Sequence, residues 1–143
     1  MNGIEYELHV ALLARLKTSL GTNVTGVYAD EVQSSAISPY VTIGNYTTLP
    51  WDSKTTDGRE MTVVLHTWSR VASKAETLRL QNMVYKALQQ PLTLREGHAV
   101  ELVRPELAET LRDNAQPGTS EPGETWIHGI QQFRFKIKEG VNA

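Results

Sequence analysis

Between Glu5 and Leu20 apolar side chains recur at Leu8, Ala11, Leu12, Leu16 and Leu20, with Val10 and Leu13 widening the stripe. This i, i+4 spacing predicts an amphipathic helix. Gly21 follows as its stop. The short β-branched stretch Val24–Tyr28 and the run Pro39–Thr47 are predicted strands, separated by the polar stretch Asp30–Ser38. Strict alternation in the second run places Val41 and Ile43 on one face and Tyr40 and Tyr46 on the other. After a polar connection from Pro50 to the turn dipeptide Asp57-Gly58 comes the clearest strand, Arg59–Arg70. Met61, Val63, Leu65 and Thr67 share one of its faces, and Thr62, Val64, His66 and Trp68 the other. Both faces are partly apolar, which predicts a central strand.

Ser73-Lys74-Ala75-Glu76 has the spacing of a capping box and predicts a helix start. The buried stripe would be Leu80, Met83, Val84, Ala87 and Leu88, and Pro91 limits its length. Ala99–Val103 is a predicted strand, and Leu107–Arg112, beyond Pro105, is read as another. Asn114–Gly123, with two prolines and two glycines, is a predicted loop too poor in apolar side chains to repay its ordering by burial. Trp126–Lys138 returns to alternation, with Phe133, Phe135 and Ile137 inward and Arg134, Lys136 and Lys138 outward. The order α-β-β-β-α-β-β-β predicts an α+β fold with a mainly antiparallel sheet and two helices packed on one face.

Composition narrows the function classes. A chain of 143 residues with 40% hydrophobic content is read as one domain, residues 1–143, and a chain of about 150 buries roughly 68–70% of its unfolded surface. The absence of cysteine excludes disulfides, thiolate metal sites and thiol catalysis. Lys and Arg total 14 against 16 Asp and Glu, a formal charge of −2, which lacks the electrostatic footprint of a nucleic-acid binder. The start, Met1-Asn2-Gly3-Ile4-Glu5, shows no basic region followed by an apolar run, so a soluble protein with no membrane contact is expected. On that expectation the glycosylation patterns at Asn23-Val24-Thr25 and Asn45-Tyr46-Thr47 are chance matches.

Candidate chemistry is sparse. His9, His66, His98 and His128 lack the close spacing of zinc ligands, and His66 and His128 are read instead as partly buried rings hydrogen-bonded to neighbours, or as surface residues. There is no Gly-x-Ser-x-Gly elbow, and Trp68-Ser69-Arg70-Val71-Ala72 before the second helix lacks the glycines of a phosphate loop. No catalytic, cofactor or metal residue is therefore expected. The alternating cations Arg134, Lys136 and Lys138 are read as an anti-aggregation device. Trp68 is assigned to the core, and Trp51, in a loop between Pro50 and Asp52, to core or binding surface with equal weight.

The chain resembles the tail-completion, or tail-terminator, proteins of long-tailed bacteriophages. The resemblance spans nearly the whole chain. It rests on the N-terminal helix, Val27-Tyr28, the run Pro39-Tyr40-Val41-Thr42-Ile43-Gly44, and above all Glu60–Ser69 running into a helix that ends near Ala87-Leu88, with Phe133-Arg134-Phe135 near the end. The loop Asn114–Gly123 and the Pro105 region depart from that pattern. The resemblance implies a non-catalytic structural protein of the virion tail or neck, assembled in the bacterial cytoplasm, without a cofactor. It implies a ring of identical copies, a hexamer, which caps the head-proximal end of the tail tube, stops its growth and meets the head-tail connector. DNA would pass through without specific binding. A closed ring needs heterologous contacts, for which Tyr40, Tyr46 and Trp51, as exposed aromatics, and Gln116 and Glu121, in the long loop, are the candidate interface residues. The alternatives are another ring protein of the neck or tail, such as a head-side stopper or tube subunit, and a small ligand-binding or enzymatic α+β domain.

Overall fold

The computed structural model describes residues 3–30, 32, 36–70, 73–113 and 125–140. Helix α1 (Ile4–Leu20) carries Glu5 and Glu7 in its first turn and Lys17 in its last, which complements the helix dipole. It stops at Gly21, whose φ of 49° is open to a residue without a Cβ and whose N–H bonds to the Lys17 carbonyl. A short 3-10 turn (Gly21–Asn23) follows, and it confines strand β1 to Val27–Tyr28, shorter than the expected Val24–Tyr28. Strands β2 (Tyr40–Pro50) and β3 (Gly58–Ser69), helix α2 (Lys74–Gln89) and strands β4 (Ala99–Asp113) and β5 (Trp126–Lys138) complete the described elements.

The five strands form one sheet in the order β1-β2-β3-β5-β4. Only the β1/β2 pair is parallel; β2/β3, β3/β5 and β5/β4 are antiparallel. The fold is α+β, as expected, with β3 central. Both helices pack on one sheet face: Leu8, Leu12, Leu16 and Leu20 of α1 and Leu80, Val84 and Leu88 of α2 join Val41, Ile43, Met61, Val63, Leu65, Phe133, Phe135 and Ile137 in one buried cluster. Met83, expected in the α2 stripe, is at the margin of this core, while Thr77 and Gln81 are buried against Gly129 of β5.

Three local expectations are corrected. The segments 99–103 and 107–112 are one strand, so the order is α-β-β-β-α-β-β. Pro105 is accommodated because β4 lies at the sheet edge, where a missing N–H is tolerated, and the register slips at Glu101 and Glu106 absorb the misfit. In the second correction, Ser73 is the N-cap of α2, but its hydroxyl accepts from Ala75 N (3.2 Å), and Glu76 accepts from the Ser69 hydroxyl (2.6 Å). The reciprocal box is replaced by a tie from the first helical turn to the end of β3. α2 ends as expected before Pro91, with Gln90 already extended.

The third correction concerns β2. Ile43 pairs with Leu65 and Tyr46 with Val63, so Gly44 and Asn45 together face one residue of β3, a β-bulge. The extra residue reverses the alternation, and Tyr46 lies on the helix-covered face, opposite to Tyr40. Gly44 is needed there, since a Cβ would come within 2.8 Å of His66 Nε2 and 3.0 Å of the Val64 carbonyl.

Candidate functional site

The helix-free face holds a second cluster, built by register. Tyr40 pairs with Trp68, and Trp68 with His128, so large rings from β2, β3 and β5 meet on one row. Tyr40, Trp68 and Trp126 are buried together, with Tyr28, Val32 and Ala36 packed against them. Trp126 meets both Tyr40 and Trp68 edge to face, at 6.1 and 6.3 Å between centroids, and Arg70 lies over its ring. Trp68 stacks on His128 at 3.7 Å, and its indole N–H donates to Thr42 Oγ1 (3.4 Å). His66 Nδ1 and His128 Nε2 are 2.8 Å apart. One ring must donate and the other accept, so at least one imidazole is neutral. Burial lowers the pKa of His66 and pushes that of the Tyr40 phenol up to about 12, with the Tyr28 charge a smaller cause. The histidines were therefore legible as hydrogen-bonded strand residues, but their partnership arises only from the β3/β5 pairing.

The candidate interface residues separate. Tyr40 is wholly buried, which corrects its reading as an exposed aromatic: the first half of β2 is covered on both faces. Tyr46 is half-buried and hydrogen-bonds through its hydroxyl to His9 Nδ1 of α1 (2.6 Å), and burial raises its pKa. Its exposed role is likewise corrected, because the bulge turns it toward the helix. Trp51 is half-buried at the β2/β3 hairpin, where its N–H donates to the Gly58 carbonyl (3.0 Å) and Lys136 Nζ lies 5.5 Å from its ring. It retains surface for a partner. Gln116 and Glu121 lie outside the described residues, as does the expected loop that carries them.

Of the cations of β5, Arg134 and Lys138 are paired with carboxylates. Arg134 Nη2 reaches Glu106 Oε2 (2.9 Å) while Nη1 reaches Glu60, and Lys138 is 3.8 Å from Glu101. On the other face, buried Glu7 is held by the exposed Arg95 through two bonds (2.7 and 3.2 Å), tying α1 to the segment before β4. Among the described residues no group of three or more His, Cys, Asp or Glu could hold a metal ion, and no helix is long and apolar enough to cross a membrane. A hollow of about 430 Å³ beside the hairpin is lined by Thr48, Pro50, Asp52, Asp57 and Arg59, and Arg59 is engaged by Glu5 (3.2 Å). It is polar and open, unlike the apolar enclosure of a small-molecule site.

What the geometry offers is surface. β1 covers β2 only at Val41 and Thr42, which leaves the rest of that edge without a strand partner among the described residues, and Leu49 on it is 55% exposed. At the opposite edge Leu107 of β4 is 43% exposed, and Leu78 and Tyr85 of α2 are exposed as well. These apolar side chains were not singled out in the sequence, because single exposed leucines carry no periodic signal.

Comparisons with known proteins identify the fold and the family. A chain from the virion of a native gene transfer agent particle has the same fold, with a TM-score of 0.72 at 16% identity over 96% of this chain and 99% of that one. The gp17 protein of bacteriophage SPP1 matches with a TM-score of 0.57 and 28% identity, over 96% of this chain and 92% of that one. No curated protein sequence matches. The sequence profile of the family described as tail completion protein gp17 matches residues 10–138, and the chain belongs to that tail-completion family.

Proposed function

We propose that this protein is a non-catalytic structural component of a phage or phage-like virion, which forms a ring, a hexamer, at the head-proximal end of the tail tube. There it stops tube growth and presents a face to the head-tail connector, and DNA passes through the ring without specific binding. The observation that carries this reading is the family match over residues 10–138, supported by the 28% identity to SPP1 gp17. Ring closure from identical chains requires two different surfaces on each copy that meet head to tail.

The experiment is light scattering and negative-stain microscopy of the purified protein over a wide concentration range, alone and with tail tubes assembled from the cognate tube protein. Closed rings are expected, free or on one tube end, together with tubes that cease to lengthen. A protein that stays monomeric at the highest concentration and leaves tube length unchanged would overturn the reading.

A further inference from the structure

The two sheet edges match each other. On the β2 side the strand is covered at Thr42, which pairs with Tyr28 of β1. Following the register across the sheet, Thr42 aligns with His66, Ile130 and finally Glu109 of β4. There too the edge is occupied, because Gln81 of α2 donates to the Glu109 carbonyl (2.9 Å) and accepts from the Thr110 hydroxyl (2.9 Å). Both edges are thus engaged at one level; from there toward the β2/β3 hairpin β2 has no strand partner among the described residues, and β4 has none until Ala99, which bridges to Thr93. Gly44–Pro50 contains no Asp, Glu, Lys or Arg, the side chains with which edge strands are protected from pairing. Leu49 aligns through Glu60 and Lys136 with Leu102, so Leu49 and Leu102 stand at one level on the helix-free face, the face that Leu107 also shares.

Strand direction fits as well. Three antiparallel steps separate β2 from β4, so the two edges run in opposite directions. In a cyclic ring every copy keeps one orientation, and β4 of one copy set against β2 of the next makes an antiparallel pair. Resting on the ring-forming reading above, we propose that successive copies of this chain join at these edges. The uncharged half of β2 lies along the Leu102–Leu107 stretch of β4 in the next copy, with Leu49 packed against Leu102 or Leu107. The register slips at Glu101 and Glu106 and the missing N–H of Pro105 limit the backbone bonds across the seam. Burial of the leucines is then the larger contribution, and the interrupted edge of β4 sets the register at which a neighbour fits.

The chain has no cysteine of its own, which permits a clean cross-linking test. The double variants Leu49→Cys/Leu102→Cys and Leu49→Cys/Leu107→Cys, and the three single variants, are oxidised under conditions where light scattering reports the assembly. At least one double variant is expected to give a ladder on a non-reducing gel that ends at the ring's full subunit number, since a disulfide needs Cα atoms within about 7 Å. The single variants are expected to stay monomeric on the gel. A dimer from a single variant would replace the head-to-tail contact with a self-complementary one and overturn the proposal. Assembly without a ladder from either pair would overturn this seam while leaving the ring reading intact, and a protein that never assembles would overturn both. As a second measurement, Leu107→Arg is expected to keep its melting temperature within a degree or two and to raise the concentration for half-assembly at least tenfold. Unchanged assembly of this folded variant would also overturn the proposal.

Discussion

The two faces of the sheet are stabilised by different physics. Under the helices, aliphatic and phenyl side chains from α1, α2 and four strands form a single apolar cluster, where the favourable term is removal of apolar area from water. On the other face three buried aromatic rings, two imidazoles and a tryptophan N–H are held by stacking and hydrogen bonds, with Tyr28, Val32 and Ala36 packed against the rings. The first face admits buried charge where it is paired, as Glu7 is with Arg95, and responds to volume. The second responds to ring orientation and protonation, so pH and substitution separate the two.

The largest expected effect comes from the first face. Phe135 is wholly buried in the central part of the apolar cluster, and Phe135→Ala should destabilise by about 4–5 kcal/mol, because helices on one side and strand neighbours on the other prevent collapse of the cavity. Trp68→Ala, in the smaller aromatic cluster, should cost about 3 kcal/mol, since fewer apolar side chains are packed around it than around Phe135. Urea unfolding of both variants checks the order, and a larger loss for Trp68 would mean that the aromatic cluster is the true centre of the fold. Assembly should suffer in Trp68→Ala only through that loss of stability.

The Gly44→Ala variant acts next. The Val64 carbonyl at 3.0 Å from the added Cβ is backbone and cannot swing away, so a loss of roughly 1–3 kcal/mol is expected, the range for overpacking. It should be accompanied by changed chemical shifts of His66 and His128. A Ser73→Ala change at the α2 cap should cost about 1 kcal/mol and leave both histidine signals in place, which makes it the control.

The smallest expected effect is titration. His66 binds its proton less readily folded than unfolded, so between its lowered native pKa and the ordinary value near 6.5 the unfolded chain carries more protons and stability rises with pH. Acidification from pH 7 to 5 should therefore lower the melting temperature, and His66→Asn should flatten that slope. Tyr40, with its pKa raised to about 12 from 10.0, gives the opposite sign: stability present below pH 10 is lost as pH climbs toward 12. Melting curves at intervals of one pH unit check both arms. A slope in the acid range that persists in His66→Asn would assign it to another group.

How much of this was legible in the chain depends on the range of the interaction. α1, β3, α2 and β5 follow from local periodicity, because one face of each meets a continuous apolar core. β4 was divided in two because Pro105 carries the same local signal whether it ends a strand or occupies an edge. The bulge left a trace, an isolated glycine within a strand pattern, but the alternation of Tyr40 and Tyr46 was read through it as if unbroken. Their assignment to one exposed face failed for that reason, and Tyr40 failed further because Tyr28, Val32 and Ala36 pack against it, the last two from a polar stretch whose sequence shows no strand or helix period. The His66–His128 bond spans 62 residues and depends on register, which no local pattern encodes.

The bulge at Gly44–Asn45 makes β2 a strand in two phases. Its first half sends Tyr40 to the aromatic cluster, and its second half sends Tyr46 to α1. Loss of one residue between Ile43 and Tyr46 would act as a frame shift in three dimensions: every side chain from Tyr46 to Pro50 would exchange faces while the amino-acid composition barely changed. Leu49 would then point toward the helices and Thr48 away from them, and the hairpin would present a different surface to whatever stands beside it. In this strand the count of residues is therefore under stricter constraint than their identity, and natural variation here should favour substitution over insertion or deletion.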